Sequence, residues 1–199
     1  MQSARDKSLP ASYEQIVAAT RQAGFTMSSD VPTGSLLKAL AASKPDGQLL
    51  ELGTGTGLST AWLLAGMSAG ARLTSVDNDA SVLAIARCYL GQDKRLRLVH
   101  QDGGTWLSDN TGATFDFIFA DTWHGKYLML EEALTLLKPG GLYVIDDMLP
   151  QDNWPEGHAQ KAIKVTETLE DRPDLATTQL HWASGIIICT KLLIKSEDL

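Results

Sequence analysis

With 199 residues, of which 44% are hydrophobic, the chain is long enough for one domain with a full core and too short for two sizeable domains. Its formal net charge of −7 comes from scattered acids, so no basic stripe is offered to nucleic acid or to an anionic membrane. No run approaches the roughly 20 apolar residues that span a bilayer, and the polar start lacks the apolar core of a signal peptide, so we expect a soluble cytoplasmic protein.

Two predicted helices precede the part of the chain in which strands and helices alternate. The first begins after Ser12, which with Gln15 forms a predicted capping box, and Gly24 ends it. The second runs from about Gly34 to Ala42. We therefore expect a disordered N terminus and one domain, divided into the segments 1–11 (disordered), 12–47 (N-terminal helices) and 48–199 (core).

From residue 48 onward the alternation of strands and helices is typical of a parallel sheet with helices on both faces. The predicted strands are Gln48–Glu51, Arg72–Asp77, Leu96–His100, Phe115–Asp121 and Gly141–Asp146. The predicted helices are Leu58–Met67, Ala80–Leu90, Gly125–Leu137 and Glu156–Leu169. Two final strands are joined by too short a link for a parallel crossover, which predicts an antiparallel hairpin of Thr177–Trp182 with Gly185–Leu193.

The first predicted strand ends in an acid and turns into a helix through three alternating glycines, Gly53, Gly55 and Gly57. A side chain there would block positive φ angles or hold the backbone away from a ligand above the helix N terminus. A Gly-x-Gly-x-x-Gly loop would predict a dinucleotide, but here the third glycine comes one residue early and Leu58 follows it. Glu51, just before the loop, would repel a pyrophosphate and suits a ligand with a cationic amino acid portion.

This stretch resembles motif I of the class I S-adenosylmethionine-dependent methyltransferases, written Glu/Asp-x-Gly-x-Gly-x-Gly. The resemblance implies an α/β fold with a Rossmann-like, doubly wound, mostly parallel seven-stranded sheet and a C-terminal antiparallel hairpin. It also implies S-adenosylmethionine as the cofactor and a set of residues around it. These are Glu51, Gly53, Gly55, Gly57 and Ser59 of the motif, Asp77 and Asn78, Asp102 and Gly103, and Asp121.

Acids also follow the second and third predicted strands. Asp77 lies about 20 residues past the glycine loop, where a carboxylate can accept both hydroxyls of a ribose. For the neighbouring Asp79 we favour the role of a helix N-cap. The resemblance places Asp102 at the adenine amino group, although Asp102 could equally cap the short helix through Trp106.

Asp121 ends the fourth predicted strand, and Asp146 and Asp147 end the fifth. Three carboxylates that converge there would repel one another, and a hard divalent cation such as Mg²⁺ or Ca²⁺ would relieve the repulsion. Asp146 and Asp147 can both bind one ion only if the chain has begun to turn, because neighbours in a strand point to opposite faces. Asp147 could instead cap a loop.

The spacing of these acids is similar to that of the cation-dependent small-molecule O-methyltransferases, which include the catechol and caffeoyl-CoA enzymes. The similarity runs from about Ser28 to Met148 and includes the terminal strand that contains Gly185. It implies a metal, Mg²⁺ or else Ca²⁺ or Mn²⁺, bound by Asp121, Asp146 and Asp147. That family has an Asp-Asn pair where this chain has two aspartates, and a lysine base where this chain has His124. An Asp-x-x-His-x-x-Tyr pattern also resembles a branch that methylates natural-product sugars.

The predicted reaction is methyl transfer from S-adenosylmethionine to a hydroxyl of a small molecule, with help from a divalent metal. His124 is the predicted general base because an imidazole titrates near neutral pH. His124 could instead cap the next helix, and Lys126 is expected to be a solvated helix residue that could replace it as base. The alternatives are a metal-independent small-molecule or tRNA methyltransferase, a nicotinamide-dependent oxidoreductase, and a module that binds without catalysis. The resemblance also allows a homodimer.

Overall fold

The computed structural model describes residues 9–151 and 154–193, which form seven helices and seven strands. The helices are α1 (Tyr13–Gln22), α2 (Val31–Ala42), α3 (Leu58–Gly66), α4 (Ala80–Leu90), α5 (Gly103–Asp109), α6 (Leu130–Thr135) and α7 (His158–Glu170). The strands are β1 (Gln48–Leu52), β2 (Arg72–Asp77), β3 (Leu96–His100), β4 (Phe115–Ala120), β5 (Leu137–Ile145), β6 (Leu175–Leu180) and β7 (Ile186–Lys191). No helix in this described part is long and apolar enough to cross a membrane.

The seven strands form one sheet in the order β3-β2-β1-β4-β5-β7-β6. Strands β1 to β5 are parallel to their neighbours, whereas β7 pairs antiparallel with both β5 and β6. Because the strand order reverses between β1 and β4, a crevice is expected beyond their carboxyl ends. The predicted doubly wound sheet with an antiparallel C-terminal hairpin is therefore confirmed.

The sheet separates two apolar clusters. One lies under the first four helices and contains Leu49 of β1 and Phe117 and Phe119 of β4. The other lies under α5, α6 and α7 and contains Leu50 of β1 and Ile118 of β4. Successive residues of a strand thus face opposite clusters, as the pleat requires. Each of these five side chains is fully buried, so the central strands are fixed from both sides.

The N-terminal helices begin differently from the prediction. Ser12 occupies the N-cap of α1 but makes no side-chain capping bond, so the predicted capping box with Gln15 is wrong. The Ser12 hydroxyl instead donates to the Tyr89 carbonyl at 3.4 Å. Helix α2 begins at Val31 rather than Gly34, because the Asp30 carboxylate caps it by accepting from the Thr33 amide at 2.7 Å. Residues 1–8 of the predicted disordered segment lie outside the described residues, and the division into segments stays a prediction.

The largest difference from the prediction is the helix expected at Gly125–Leu137, of which only α6 forms. Gly125 and Met129 have φ angles of 82° and 54°, which a right-handed helix cannot include. The Tyr143 hydroxyl of β5 donates to the Gly125 carbonyl and holds the backbone in this turn. Residues 121–129 therefore form an irregular segment at the edge of the sheet, next to the predicted site.

Candidate active site

The ends of four parallel strands lie level with one another. Leu52 of β1 is paired with Val76 of β2 and with Ala120 of β4, and Ala120 is paired with Ile145 of β5. The residues that follow these four are Gly53, Asp77, Asp121 and Asp146. Four predicted site residues are thereby brought to the same edge of the sheet, on both sides of the point where the strand order reverses.

The glycine loop needs its glycines for packing as well as for access. Gly53 and Gly57 have φ angles of 99° and 95°, in the region that favours glycine. A methyl group on Gly53 would lie 2.6 Å from the Asp121 carbonyl oxygen, and one on Gly57 would lie 2.9 Å from Cβ of Ala86. The loop therefore lies directly against the end of β4 and against α4.

Asp77 ties the glycine loop to the end of β2. One oxygen of its carboxylate accepts from the Gly55 amide at 2.7 Å, and the other accepts from the Asp79 amide at 2.9 Å. A carboxylate offers about four lone-pair positions, so Asp77 retains acceptor capacity for a ligand. Asp79 caps α4 by accepting from the Ser81 amide at 2.8 Å, which confirms its predicted role.

Glu51 lies behind the loop, in the interior. It is fully buried, and its carboxylate accepts hydrogen bonds from the hydroxyls of Ser59, Thr60 and Ser75. Burial raises the pKa of this carboxyl to about 7. The prediction that Glu51 and Ser59 contact the cofactor directly is not supported by this arrangement, because the two side chains face each other. They support the loop from below.

A small crevice opens between the glycine loop and the ends of β2 and β3. It is lined by Leu52, Gly53, Val76, Asp77, Asn78, Gly103, Thr122 and His124. Five of these eight residues belong to the predicted site. The crevice lies at the switch point of the sheet, where a nucleotide is expected to bind.

Asp102 stands beside this crevice as the N-cap of α5. Its carboxylate accepts from the Thr105 amide at 2.9 Å, and this bond holds the pKa of the carboxyl below its usual value. The two interpretations left open for Asp102 are compatible, because the cap uses one oxygen. The other oxygen lies 3.8 Å from Nδ1 of His124.

His124 belongs to the crevice rather than to the acids that follow β4 and β5. Its ring packs against the start of α5, where a methyl group on Gly103 would lie 3.0 Å from Cβ of His124. A methyl group on Gly104 would lie 2.9 Å from Nε2 of the same ring. This position does not support the prediction that His124 is the general base, and it suits a contact with a planar ring in the crevice.

Three carboxylates converge beyond β4 and β5, and we call Asp121, Asp146 and Asp147 the acidic cluster. Burial, together with the charges of Asp146 and Asp147, raises the pKa of Asp121 well above its usual value. Burial also raises the pKa of Asp146 to about 6. Asp147 has a φ angle of 56°, so the chain has already turned after β5. This turn is what allows neighbouring acids to approach one another.

Lys126 fills the space beside the acidic cluster, contrary to the prediction that it is solvated. It is only 4% exposed. Its ammonium donates to the carbonyl oxygens of Asp146 at 2.6 Å and of Asp147 at 3.3 Å. Burial lowers the pKa of Lys126, and the three carboxylates oppose that shift. Periodicity could not reveal this position, because Lys126 points inward only through the turn that replaces the predicted helix.

The acidic cluster does not fit the predicted Mg²⁺ site. Within residues 9–151 and 154–193, no three histidine, cysteine or acidic side chains form a group that could hold a metal ion. One oxygen of Asp146 accepts from the Ser184 hydroxyl and from the Asp147 amide, and Asp121 accepts from the Ser29 hydroxyl at 3.1 Å. The prediction of Asp121, Asp146 and Asp147 as metal ligands is therefore not supported by the geometry.

An aromatic cluster adjoins the acids and consists of Trp123, Tyr127, Trp154 and His158. The His158 ring lies 4.4 Å from Trp154, 5.0 Å from Tyr127 and 5.7 Å from Trp123, measured between ring centroids. Nε2 of His158 shares a hydrogen bond of 3.0 Å with the Tyr127 hydroxyl. Its buried Nδ1 has no hydrogen-bond partner within the described structure, and burial lowers the His158 pKa. Trp123 remains 43% exposed.

The connection between α1 and α2 covers both parts of the site. The similarity noted in the sequence begins at about Ser28 and so includes only the later half of this connection. A methyl group on Gly55 would lie 3.3 Å from the Phe25 ring. Four residues later, Ser29 donates to Asp121. Ser184, in the turn between β6 and β7, contacts Asp146 in the same way. Phe25 and Ser184 carry no sequence signal that separates them from ordinary loop residues.

Residues 50–148 match a family model described as a methyltransferase domain. A protein of Mycobacterium avium, provisionally named an O-methyltransferase, is 28% identical over 144 residues, which cover 67% of this chain and 64% of that protein. A protein of Mycobacterium sp. strain KMS with the same name is 32% identical over 145 residues, with the same two coverages. The chain thus spans less than two thirds of the length of these relatives.

Solved structures resemble nearly the whole chain. The O-methyltransferase TomG of Streptomyces achromogenes, involved in tomaymycin synthesis and solved with S-adenosylmethionine, has a TM-score of 0.78 at 21% identity, covering 97% of this chain and 93% of its own. An O-methyltransferase of Bacillus cereus, solved with S-adenosylhomocysteine, has a TM-score of 0.78 at 22% identity, covering 96% and 93%. These likenesses establish the shared fold and agree with the resemblance that the glycine loop indicated.

Proposed function

Because the chain carries a methyltransferase domain over residues 50–148, we propose that it transfers the methyl group of S-adenosylmethionine to a hydroxyl of a small molecule. The observation that carries this proposal is the adjacency of two sites at one sheet edge. The crevice beside Gly53 and Asp77 suits the donor, and the acidic and aromatic clusters beyond β4 and β5 suit the acceptor.

The donor would lie with its adenosine in the crevice and its sulfonium toward β4. Asp77 would accept the ribose hydroxyls, as a carboxylate at this position does in nucleotide-binding sheets. His124, Asn78 and Gly103 would enclose the adenine. Glu51 and Ser59 would act from behind the loop, by keeping its backbone open to the ligand.

The acceptor would lie against the aromatic cluster with its hydroxyl toward the acids. Exposed Trp123 and the rings around His158 offer flat apolar surface for a planar molecule. The hydroxyl oxygen would attack the methyl carbon in line with the carbon–sulfur bond, whose electron pair stays on sulfur. The hydroxyl proton would pass to a carboxylate of the acidic cluster or to neutral His158, the bases at this end of the site. Alignment of the two reactants supplies most of the rate.

Calorimetric titration with S-adenosylmethionine and S-adenosylhomocysteine tests the donor site. We expect micromolar dissociation constants, an order of magnitude typical of such sites. Asp77→Ala should weaken binding about 1000-fold, or about 4 kcal/mol, because it removes charge-assisted bonds to the ribose and the anchor of Gly55. Asp79→Ala is the matched control, since Asp79 only caps α4, and it should leave the affinity unchanged.

Transfer of labelled methyl to a panel of phenols, catechols, acyl-CoA phenolics, sugars and tRNA tests the reaction. Labelling of a small hydroxyl compound is expected. Binding of NAD in place of the methyl donor would overturn the proposal, and so would labelling confined to tRNA or donor binding with no transfer to any acceptor. The cytoplasmic location and the homodimer stay predictions.

A further inference from the structure

The acidic cluster already contains a buried cation. Lys126 is 4% exposed, and its ammonium interacts electrostatically with all three carboxylates. Charged lysines are rarely buried to this extent unless they are paired. Its Nζ donates to two backbone carbonyls at the end of β5, at 2.6 Å and 3.3 Å, and an ammonium has three donors. One N–H is left for a carboxylate or for a ligand oxygen.

A hydrogen-bonded backbone turn fixes the position of Lys126. The carbonyl of Trp123 accepts from the amides of Tyr127 and Leu128, both at 2.9 Å, which closes a tight turn. Gly125 supplies the positive φ angle that the turn requires, and Tyr143 holds the Gly125 carbonyl. The turn thereby directs the lysine ammonium to the carbonyl oxygens at the end of β5.

Two carboxylate oxygens of the cluster already accept hydrogen bonds from the protein. Ser184 and the Asp147 amide donate to one oxygen of Asp146, and Ser29 donates to Asp121. Mg²⁺ demands near-octahedral oxygen ligands at short distances and loses its water reluctantly. A divalent ion here would compete with these donors for two of the oxygens and would lie beside the positive charge of Lys126.

Resting on the function proposed above, we propose that the Lys126 ammonium is the resident cation of the acidic cluster and that methyl transfer by this chain requires no divalent metal. The ammonium offsets part of the negative charge of the carboxylates and donates its third N–H toward the acceptor oxygen. There it stabilises the negative charge that develops as the hydroxyl loses its proton. Lys126 is in this sense a substitute for the metal, and not a base.

Titration with Mn²⁺, followed by electron paramagnetic resonance, tests this proposal without any donor or acceptor. The wild-type protein should leave millimolar Mn²⁺ free, whereas Lys126→Met should gain one site with a dissociation constant of about 10⁻⁴ M to 10⁻³ M. Lys138→Met is the matched control, because Lys138 pairs with the single carboxylate of Asp116 at 2.9 Å. Its removal should create no site.

The wild-type titration tests by itself whether the acidic cluster binds a divalent metal, even if Lys126→Met does not fold. If the wild type binds one Mn²⁺ and Asp121→Asn does not, the proposal is overturned. Mn²⁺ that Asp121→Asn still binds lies outside the acidic cluster, and this result agrees with the proposal. A folded Lys126→Met variant that gains no site would also overturn it. Failure of the methyl-transfer proposal would appear separately, as absent binding of S-adenosylhomocysteine to the wild type.

Once an acceptor is known, turnover provides a second readout. The rate should change by less than about twofold between excess chelator and millimolar Mg²⁺. A loss of about a hundredfold or more in chelator, restored by Mg²⁺, would overturn the proposal.

Discussion

The proposed donor region and the proposed acceptor region of this site are built in different ways. At the ends of β1, β2 and β3, backbone amides and hydroxyls hold the carboxylates, as Gly55 holds Asp77 and three hydroxyls hold Glu51. At the ends of β4 and β5, a buried ammonium donates to backbone carbonyls and interacts electrostatically with three carboxylates, and an irregular turn positions it. Short sequence motifs therefore determine the donor region, whereas the acceptor region depends on contacts between segments that are distant in the sequence.

Glu51→Gln probes the donor region and carries the largest expected effect on stability. The pKa of Glu51 is raised from 4.5 to about 7, mainly by burial, so the folded protein holds this proton more tightly than the unfolded chain does. The stabilisation is complete below the unfolded pKa and is lost as the pH rises through the folded pKa. The difference corresponds to about 3 kcal/mol of unfolding free energy.

Urea unfolding on either side of this pH window gives the measurement. When the pH is raised from about 4.5 to about 8, the unfolding free energy of the wild type should fall by about 3 kcal/mol more than that of Glu51→Gln. Glutamine keeps the size and the hydroxyl contacts, so the variant should fold. Glu132→Gln, on the exposed side of α6, should follow the wild type. Equal pH dependence in wild type and Glu51→Gln would show that the carboxyl is not protonated in the interior.

Gly125→Ala probes the acceptor region. The residue has a φ angle of 82°, and an added Cβ would lie 2.6 Å from the Leu52 side chain and 2.9 Å from the Tyr143 hydroxyl. Strain and crowding together should cost about 2 kcal/mol of unfolding free energy in urea. Gly140→Ala is the control, because its φ angle is 76° but an added Cβ meets nothing within 4 Å. Its cost should be about 1 kcal/mol, and equal costs for the two would contradict the close packing of the turn.

The substitution His124→Ala tests whether His124 serves the donor region or the acceptor region, and it has the smallest expected effect in free energy. If the ring serves the donor crevice, KM for S-adenosylmethionine should rise about tenfold, or about 1.4 kcal/mol, with kcat and its pH profile unchanged. Steady-state kinetics with a competent acceptor gives both constants. A general base would behave differently: kcat would fall by about 10²-fold to 10⁴-fold, with little change in KM.

The sequence was sufficient for the sheet and for most of the donor region. Hydrophobic periodicity and glycine spacing are local signals, and β2, β3 and α4 have the predicted bounds. Parallel strands place the residues after their ends together, which is why Asp77 and Asp121 could be assigned to one edge. The motif does not reveal which face of β1 the side chain of Glu51 takes, and that face is covered by the hydroxyls of α3 and β2.

The acceptor region could not be read in the same way. Helical periodicity from Gly125 onward predicted a solvated Lys126, but the bond from Tyr143, 18 residues away, turns the segment so that Lys126 is buried. The sequence spacing of Asp121 and Asp146 correctly predicted that they converge. It could not tell whether a metal or a side chain of the protein would balance their charge.

The connection between α1 and α2 rests on both regions at once, through Phe25 over the glycine loop and Ser29 on Asp121. Only three residues separate these contacts along the chain. We therefore expect a donor bound above Gly55 to move Phe25 and, through the short backbone between them, to shift Ser29 and its bond to Asp121. We expect ordered binding, with the donor first, because this short stretch of backbone connects the two regions.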